Sequence, residues 1–148
     1  RDPVTALAMA VLAAEDRVGG VVIALIDESA MADLNGRYRG VEEPTDVLSF
    51  RDADAEDWSD VGLPGEEAST DLGEVVVCPT VVRRYAAEEG VDSGRQMAWT
   101  LIHGLLHLLG YDHETDHGEM RLREQELLEE LTVLVRALPV LEGDTDGS

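Results

Sequence analysis

Residues 93 to 113 read Ser-Gly-Arg-Gln-Met-Ala-Trp-Thr-Leu-Ile-His-Gly-Leu-Leu-His-Leu-Leu-Gly-Tyr-Asp-His, and this run decides the architecture. Met97, Trp99, Leu101, Ile102, Leu105, Leu106, Leu108 and Leu109 fall on every face of a 3.6-residue period. A helix that is apolar all round has no face to offer water, so it belongs at the centre of a domain. Ser93 with Gln96 reads as the capping box that opens it, and Gly110 fits the left-handed position that closes it. The rest of the chain must pack around this helix.

Against the apolar background His103 and His107 stand out, and His113 follows beyond the Gly110 turn. Residues four apart on a helix share a face with Cβ atoms about 5–6 Å apart, so the two imidazoles can point at one ion. A reversal at Gly110 can return His113 to the same point as a third ligand. Three neutral imidazoles on zinc leave the fourth position for water, whose pKa such a site can lower to about 7. One such histidine alone would read as a hydrogen-bonded core residue. Two on one helix face, with Gly and a third His after them, are harder to place that way, because each buried ring needs a polar partner. His117 falls in the polar first turn of the next helix and reads as solvated surface. The spacing also matches the HExxHxxGxxH pattern of metzincin peptidases, but Gly104 stands where those enzymes carry their glutamate, and glycine cannot accept a proton. Peptide hydrolysis is the rival reading, without its base.

Upstream, Asp2 and Pro3 read as an N-cap and first helical residue, opening a helix to about Asp16 rather than a signal peptide. The chain does not begin with Met, which reads as a trimmed start. Gly19-Gly20 precede a buried strand, Val21 to Ile26, and Val47 to Phe50 and Glu74 to Cys78 read as two more. Asp27 caps a second helix ending at Asn35-Gly36, and Thr80 to Glu89 forms a third. Asp116 with Glu119 is another capping box, opening a last helix with Met120, Leu127, Leu131, Leu134 and Leu138 in one stripe before Pro139. The acidic run from Arg51 to Asp71 reads as an exposed loop or hairpin, and Glu142 to Ser148 as a frayed tail. A length of 148 residues without repeats or linkers gives one α+β domain over 1–148, a small mixed β-sheet packed by helices with the HxxxH helix buried at its centre.

Leu, Ile, Val and Phe make 40 residues, enough for a real core. Thirty-two acidic residues oppose eleven basic ones, all Arg, for a net charge of −21. That excludes binding to nucleic acid through bulk positive charge; a polyanion would have to be met by a local cluster of arginines. With Cys78 alone, neither an intrachain disulfide nor a Cys-based zinc site can form, so the expected compartment is the cytoplasm. No stretch approaches the roughly 20 apolar residues that span a bilayer.

From His103 to His113 the sequence matches H-G-x-L-H-L-x-G-Y-D-H throughout, and Tyr38-Arg39-Gly40, Pro44-Thr45-Asp46-Val47-Leu48-Ser49-Phe50 and Leu72-Gly73-Glu74 precede it in order. These motifs resemble the YbeY family of bacterial endoribonucleases, over about residues 20–135. The resemblance implies a metal-dependent, single-strand-specific endoribonuclease acting in 16S ribosomal RNA 3′-end maturation and ribosome quality control. It implies one zinc ion on His103, His107 and His113, and Arg39 as the functional arginine, with no DNA or membrane partner. Phosphodiester cleavage concentrates negative charge on phosphorus, which a metal and a guanidinium both stabilise. The nucleophile is either water or the ribose 2′-hydroxyl, and a 2′,3′-cyclic phosphate product would exclude direct attack by water.

The same resemblance leaves a second class open, a non-catalytic ribosome assembly factor with a closed, structural metal, for which His117 or a carboxylate would supply a fourth ligand. Three imidazoles suit nickel as well as zinc. Asp112 reads either as the residue that orients a ligand ring or as a turn cap. Glu74 reads as a strand-edge charge in preference to a cleft residue. Thr45, Asp46 and Ser49 are candidates for shaping a substrate groove, and Arg37, Arg51, Arg83 and Arg84 for phosphate contacts. So acidic a chain should bind free RNA weakly, which favours delivery by the ribosomal small subunit or a ribosomal protein.

Overall fold

The computed structural model describes residues 3–17, 19–51, 72–111 and 117–138. The expected acidic segment 52–71, Asp112, His113, the Asp116 cap and the tail from 139 onward lie outside the described residues. Among the described residues, six helices and three strands follow in the order α1 (Pro3–Ala14), β1 (Val21–Leu25), α2 (Glu28–Arg39), β2 (Val47–Arg51), β3 (Gly73–Val77), α3 (Pro79–Glu89), α4 (Ser93–Leu108), α5 (Glu119–Glu130) and α6 (Thr132–Ala137). The expected α+β class, with its small mixed sheet, is what the chain forms.

β3 lies between its two neighbours, parallel to β1 and antiparallel to β2. All five of its residues are buried, as expected of a central strand covered on both faces. Side chains alternate across a strand, so β3 feeds two cores. Val75 and Val77 pack with Leu101, Ile102, Leu105 and Leu106 of α4, while Val76 and Cys78 pack with Met31, Leu34, Leu48 and Phe50 on the α2 side. Leu101, Ile102, Leu105 and Leu106 are each fully buried, and α4 touches β2, β3 and the helices α1, α3, α5 and α6. It is the central helix its composition demanded.

Several element ends differ from the sequence reading, among them the start of α5, which is Glu119 with Gly118 at its N-cap in place of the expected Asp116 box. α2 continues past Gly36 to Arg39 and stops at Gly40, whose φ of 77° is the left-handed conformation. A Cβ at Gly36 would meet the Glu42 side chain at 2.7 Å but the Glu42 backbone only at an ordinary 3.6 Å, so the helix runs on through this glycine. α4 is capped by Asp92 rather than Ser93, its carboxylate accepting from the Arg95 N–H at 3.0 Å. The last helix is two, broken at Leu131, where the Thr132 hydroxyl donates back to the Glu129 carbonyl at 2.6 Å and competes with the helical ladder. None of the helices is long and apolar enough to cross a membrane among the described residues.

Candidate active site

His103 and His107 sit one turn apart on α4 with ring centroids 4.7 Å apart and planes at 84°. They are only half-buried, although Leu105, Leu106 and Gly104 around them are fully buried. The reason is the packing of α4. Gly104 lies against the sheet so closely that a Cβ would stand 2.9 Å from Val75 Cγ1 and 3.0 Å from Val47 Cγ2. The Ser49 hydroxyl donates to the Gly104 carbonyl at 2.8 Å, holding the helix to β2 at this point. With the glycine face inward, the histidines flanking it are turned to a cleft of about 560 Å³.

That cleft is lined by Tyr38, Arg39, Thr45, Asp46, Ser49, Arg51, Trp99, His103, His107 and Tyr111, among others. Arg39 ends α2, and the ring of its neighbour Tyr38 packs on Phe50 at 4.5 Å between centroids, which ties this helix end to β2. Asn35 strengthens the hold, its side-chain amide donating to the Glu43 carbonyl at 2.8 Å. Arg51 comes from the end of β2, so two guanidiniums and two imidazoles border one space. Of the other arginines singled out in the sequence, Arg37 pairs with Asp33 at 3.2 Å, Arg84 pairs with Glu28, and Arg83 donates to Thr80 at 3.5 Å. None of these three lines the cleft.

Asp46 is the acid of this cleft. Burial pushes its carboxyl above the ordinary range, while the Thr45 hydroxyl, the Val47 N–H and, less strongly, His103 pull the other way. Glu74 is not an edge charge: it is 3% exposed on the central strand. Its partner in the register is Phe50, which places it on the α2 side of the sheet and away from the histidines. His117 is exposed, precedes α5 and lines neither cleft. Gly110, with φ 106°, closes α4, and the Tyr111 hydroxyl donates to Glu15 at 2.8 Å, a carboxylate also held by Arg123 at 2.5 Å. This fixes the start of the segment that carries His113, itself outside the described residues.

Sequence reasoning missed Glu124. From α5 its Oε2 stands 2.5 Å from His103 Nδ1, and its Oε1 accepts from Trp99 Nε1 at 3.1 Å. Trp99 in turn stacks on His103, centroids 4.8 Å apart and planes at 21°. A second cleft of about 730 Å³ lies along this trio, bordered by Tyr85, Arg95, Gln96, Arg121 and Gln125. The signal was available: Glu124 falls four residues after Met120 and three before Leu127, in the gap of the apolar stripe.

His103 and His107 are a fitting pair of metal donors by spacing, exposure and type. Among the described residues no three His, Cys, Asp or Glu side chains form a metal-holding group, and His113, the third donor expected from the sequence, lies outside them.

Comparison with known proteins follows the same motifs. The family model described as endoribonuclease YbeY matches residues 3–132. A Frankia alni protein named endoribonuclease YbeY is 46% identical over 100 residues, 68% of this chain and 55% of the relative. One from a Roseiflexus species is 43% identical over 122 residues, covering 78% of this chain and 74% of the relative. A Thermotoga maritima protein solved in solution superposes with a TM-score of 0.61 at 29% identity, covering 90% of this chain and 82% of that one. The match thus spans about half of the Frankia relative and about three quarters of the Roseiflexus one. With its family match running through the sheet, the histidine helix and α5, the chain belongs to the YbeY family.

Proposed function

We propose that this chain is a metal-dependent endoribonuclease that cleaves single-stranded RNA, acting in 16S ribosomal RNA 3′-end maturation in the cytoplasm. The observation that carries the reading is the convergence of His103 and His107 with Arg39 and Arg51 on one open cleft, in a chain whose relatives are named endoribonucleases. His103, His107 and His113 would hold one zinc ion, which supplies a Lewis acid that activates the nucleophile and offsets charge at phosphorus. The chain's own groups do the remaining work. Arg39 and Arg51 receive the phosphate oxygens, where a guanidinium can make paired, charge-assisted hydrogen bonds. Tyr38 and Trp99 also line this space and supply aromatic surface on which a base could stack. Thr45 and Ser49 border the floor of the same space.

The peptidase reading has nothing to rest on, since a position that leaves no room for a Cβ leaves none for a glutamate. A net charge of −21 still argues that RNA arrives with the small subunit or a ribosomal protein rather than by attraction to the surface.

The test is cleavage of a 16S 3′ precursor by zinc-loaded protein, free and in small subunits, beside His107→Ala protein purified identically. Cleavage lost in the variant supports the reading. Equal cleavage by both proteins, or none by either on both substrates, overturns it.

A further inference from the structure

We infer that Glu124 sets which ring nitrogen of His103 is available to a metal, and that it does so jointly with Trp99; this rests on the metal reading of the cleft given above. Glu124 is buried, at 6% exposure, in a region where an unpartnered carboxylate would be costly. Both its oxygens face nitrogens of α4: Oε1 accepts from Trp99 Nε1, and Oε2 stands at hydrogen-bond distance from His103 Nδ1. A carboxylate has only acceptors, so the Nδ1 it faces must carry the proton. That leaves Nε2 as the nitrogen with a lone pair, the one able to bind a metal. The stacked Trp99 ring covers one face of the imidazole and limits its rotation. Glu124 is therefore a positioning residue that acts through His103, in the way carboxylates commonly back histidine ligands.

The arrangement makes a prediction particular to this trio. In Glu124→Gln one carbonyl oxygen must serve two N–H donors. If the oxygen stays with Trp99, the amide NH2 donates to His103 Nδ1 and the ring proton moves to Nε2, the nitrogen needed for the metal. If the oxygen turns to His103, the NH2 faces the indole N–H, donor against donor. Trp99→Phe removes that second donor, so in the double variant the glutamine oxygen is free to turn to His103 and the original tautomer returns.

Two measurements test this. In zinc-free protein above neutral pH, nitrogen NMR should show the His103 proton on Nδ1 in the wild type, on Nε2 in Glu124→Gln and on Nδ1 again in Trp99→Phe/Glu124→Gln. Zinc affinity, from competition with a chromophoric chelator, should fall about 10–100-fold in Glu124→Gln and recover at least partly in the double variant. A Glu124→Gln protein with wild-type tautomer and zinc affinity overturns the inference, and so does a double variant no better than the single one. His107→Ala is the reference: if it leaves zinc affinity unchanged, the metal reading fails, while the zinc-free tautomers still decide the role of Glu124.

Discussion

Replacing Gly104 by alanine sets two effects of opposite sign against each other, and the structure decides between them. In a helix interior alanine is favoured over glycine by about 1 kcal/mol. Here the added methyl would stand 2.9 Å from Val75 Cγ1 and 3.0 Å from Val47 Cγ2, against an optimal carbon separation of about 3.5–4.0 Å. Both neighbours are β-branched and stiff at χ1, and Val75, the nearer one, is fully buried on the central strand and cannot swing aside. Overpacking of this kind costs about 1–3 kcal/mol. If α4 lifts to relieve it, the Ser49 to Gly104 hydrogen bond, worth about 1 kcal/mol, is stretched as well. The balance is a destabilisation of about 1–3 kcal/mol, read as a lower urea midpoint with an unchanged slope. Val75→Ala removes the closest atom, so Gly104→Ala should cost less in that background than in the wild type, a coupling visible in a double-mutant cycle. A Gly104→Ala protein as stable as the wild type or more so would refute the reasoning, because propensity alone would then rule this position.

Three further outcomes follow from the same geometry. Arg39→Ala should lower cleavage about 10²–10³-fold, the usual scale for losing one group that stabilises an oxyanion, with zinc affinity unchanged; a loss smaller than tenfold would remove Arg39 from the phosphate site. Arg123→Ala should destabilise the fold by about 2–4 kcal/mol in denaturant, since its ion pair with Glu15 is only 19% and 12% exposed and Glu15 would be left with the Tyr111 hydroxyl alone; a change within about 0.5 kcal/mol would show the pair to be idle. Because burial raises the Asp46 carboxyl in the folded chain, the unfolded chain loses that proton first as pH rises, so stability falls between the ordinary value of 3.8 and the raised one and stays reduced above it. Asp46→Asn should then flatten that part of the pH–stability curve of chelator-treated protein and raise its stability at neutral pH, and an Asn variant less stable at pH 7 would contradict this.

Much of the fold was legible because its strongest signals are local. A helix apolar on every face, three short β-branched runs and the glycines between them specify a helix buried against a small sheet. The misreadings fall where a neighbour distant in sequence decides. Gly36 looked like a helix stop because glycine often is one, but the helix runs on through it to Gly40, whose left-handed φ makes it the stop. Ser93 looked like the cap because Gln96 follows at capping-box spacing, but Asp92 stands one residue earlier and offers the stronger acceptor. The histidine pair was legible from spacing alone. Arg39 was not: an exposed arginine in a glycine-flanked turn carries no local sign that its helix end will be pinned by Tyr38 and Asn35 over the same cleft as α4.

The composition set a condition that the fold meets in a particular way. A chain with thirty-two acidic residues and eleven arginines can present a polyanion with a favourable field only where arginines are spared from acidic partners. Arg37, Arg84 and Arg123 are each bound to carboxylates and do not line the cleft, to which the end of α2 carries Arg39. Even there Asp46 borders the same space, so the local excess of positive charge is small without a metal. On the proposed reading, a cation held by the histidines would contribute much of the attraction for a phosphate, so that RNA affinity would depend on metal occupancy more than in a basic nuclease. On the same reading, a net charge of −21 disfavours contact with nucleic acid elsewhere on the surface and favours strands already presented to the cleft.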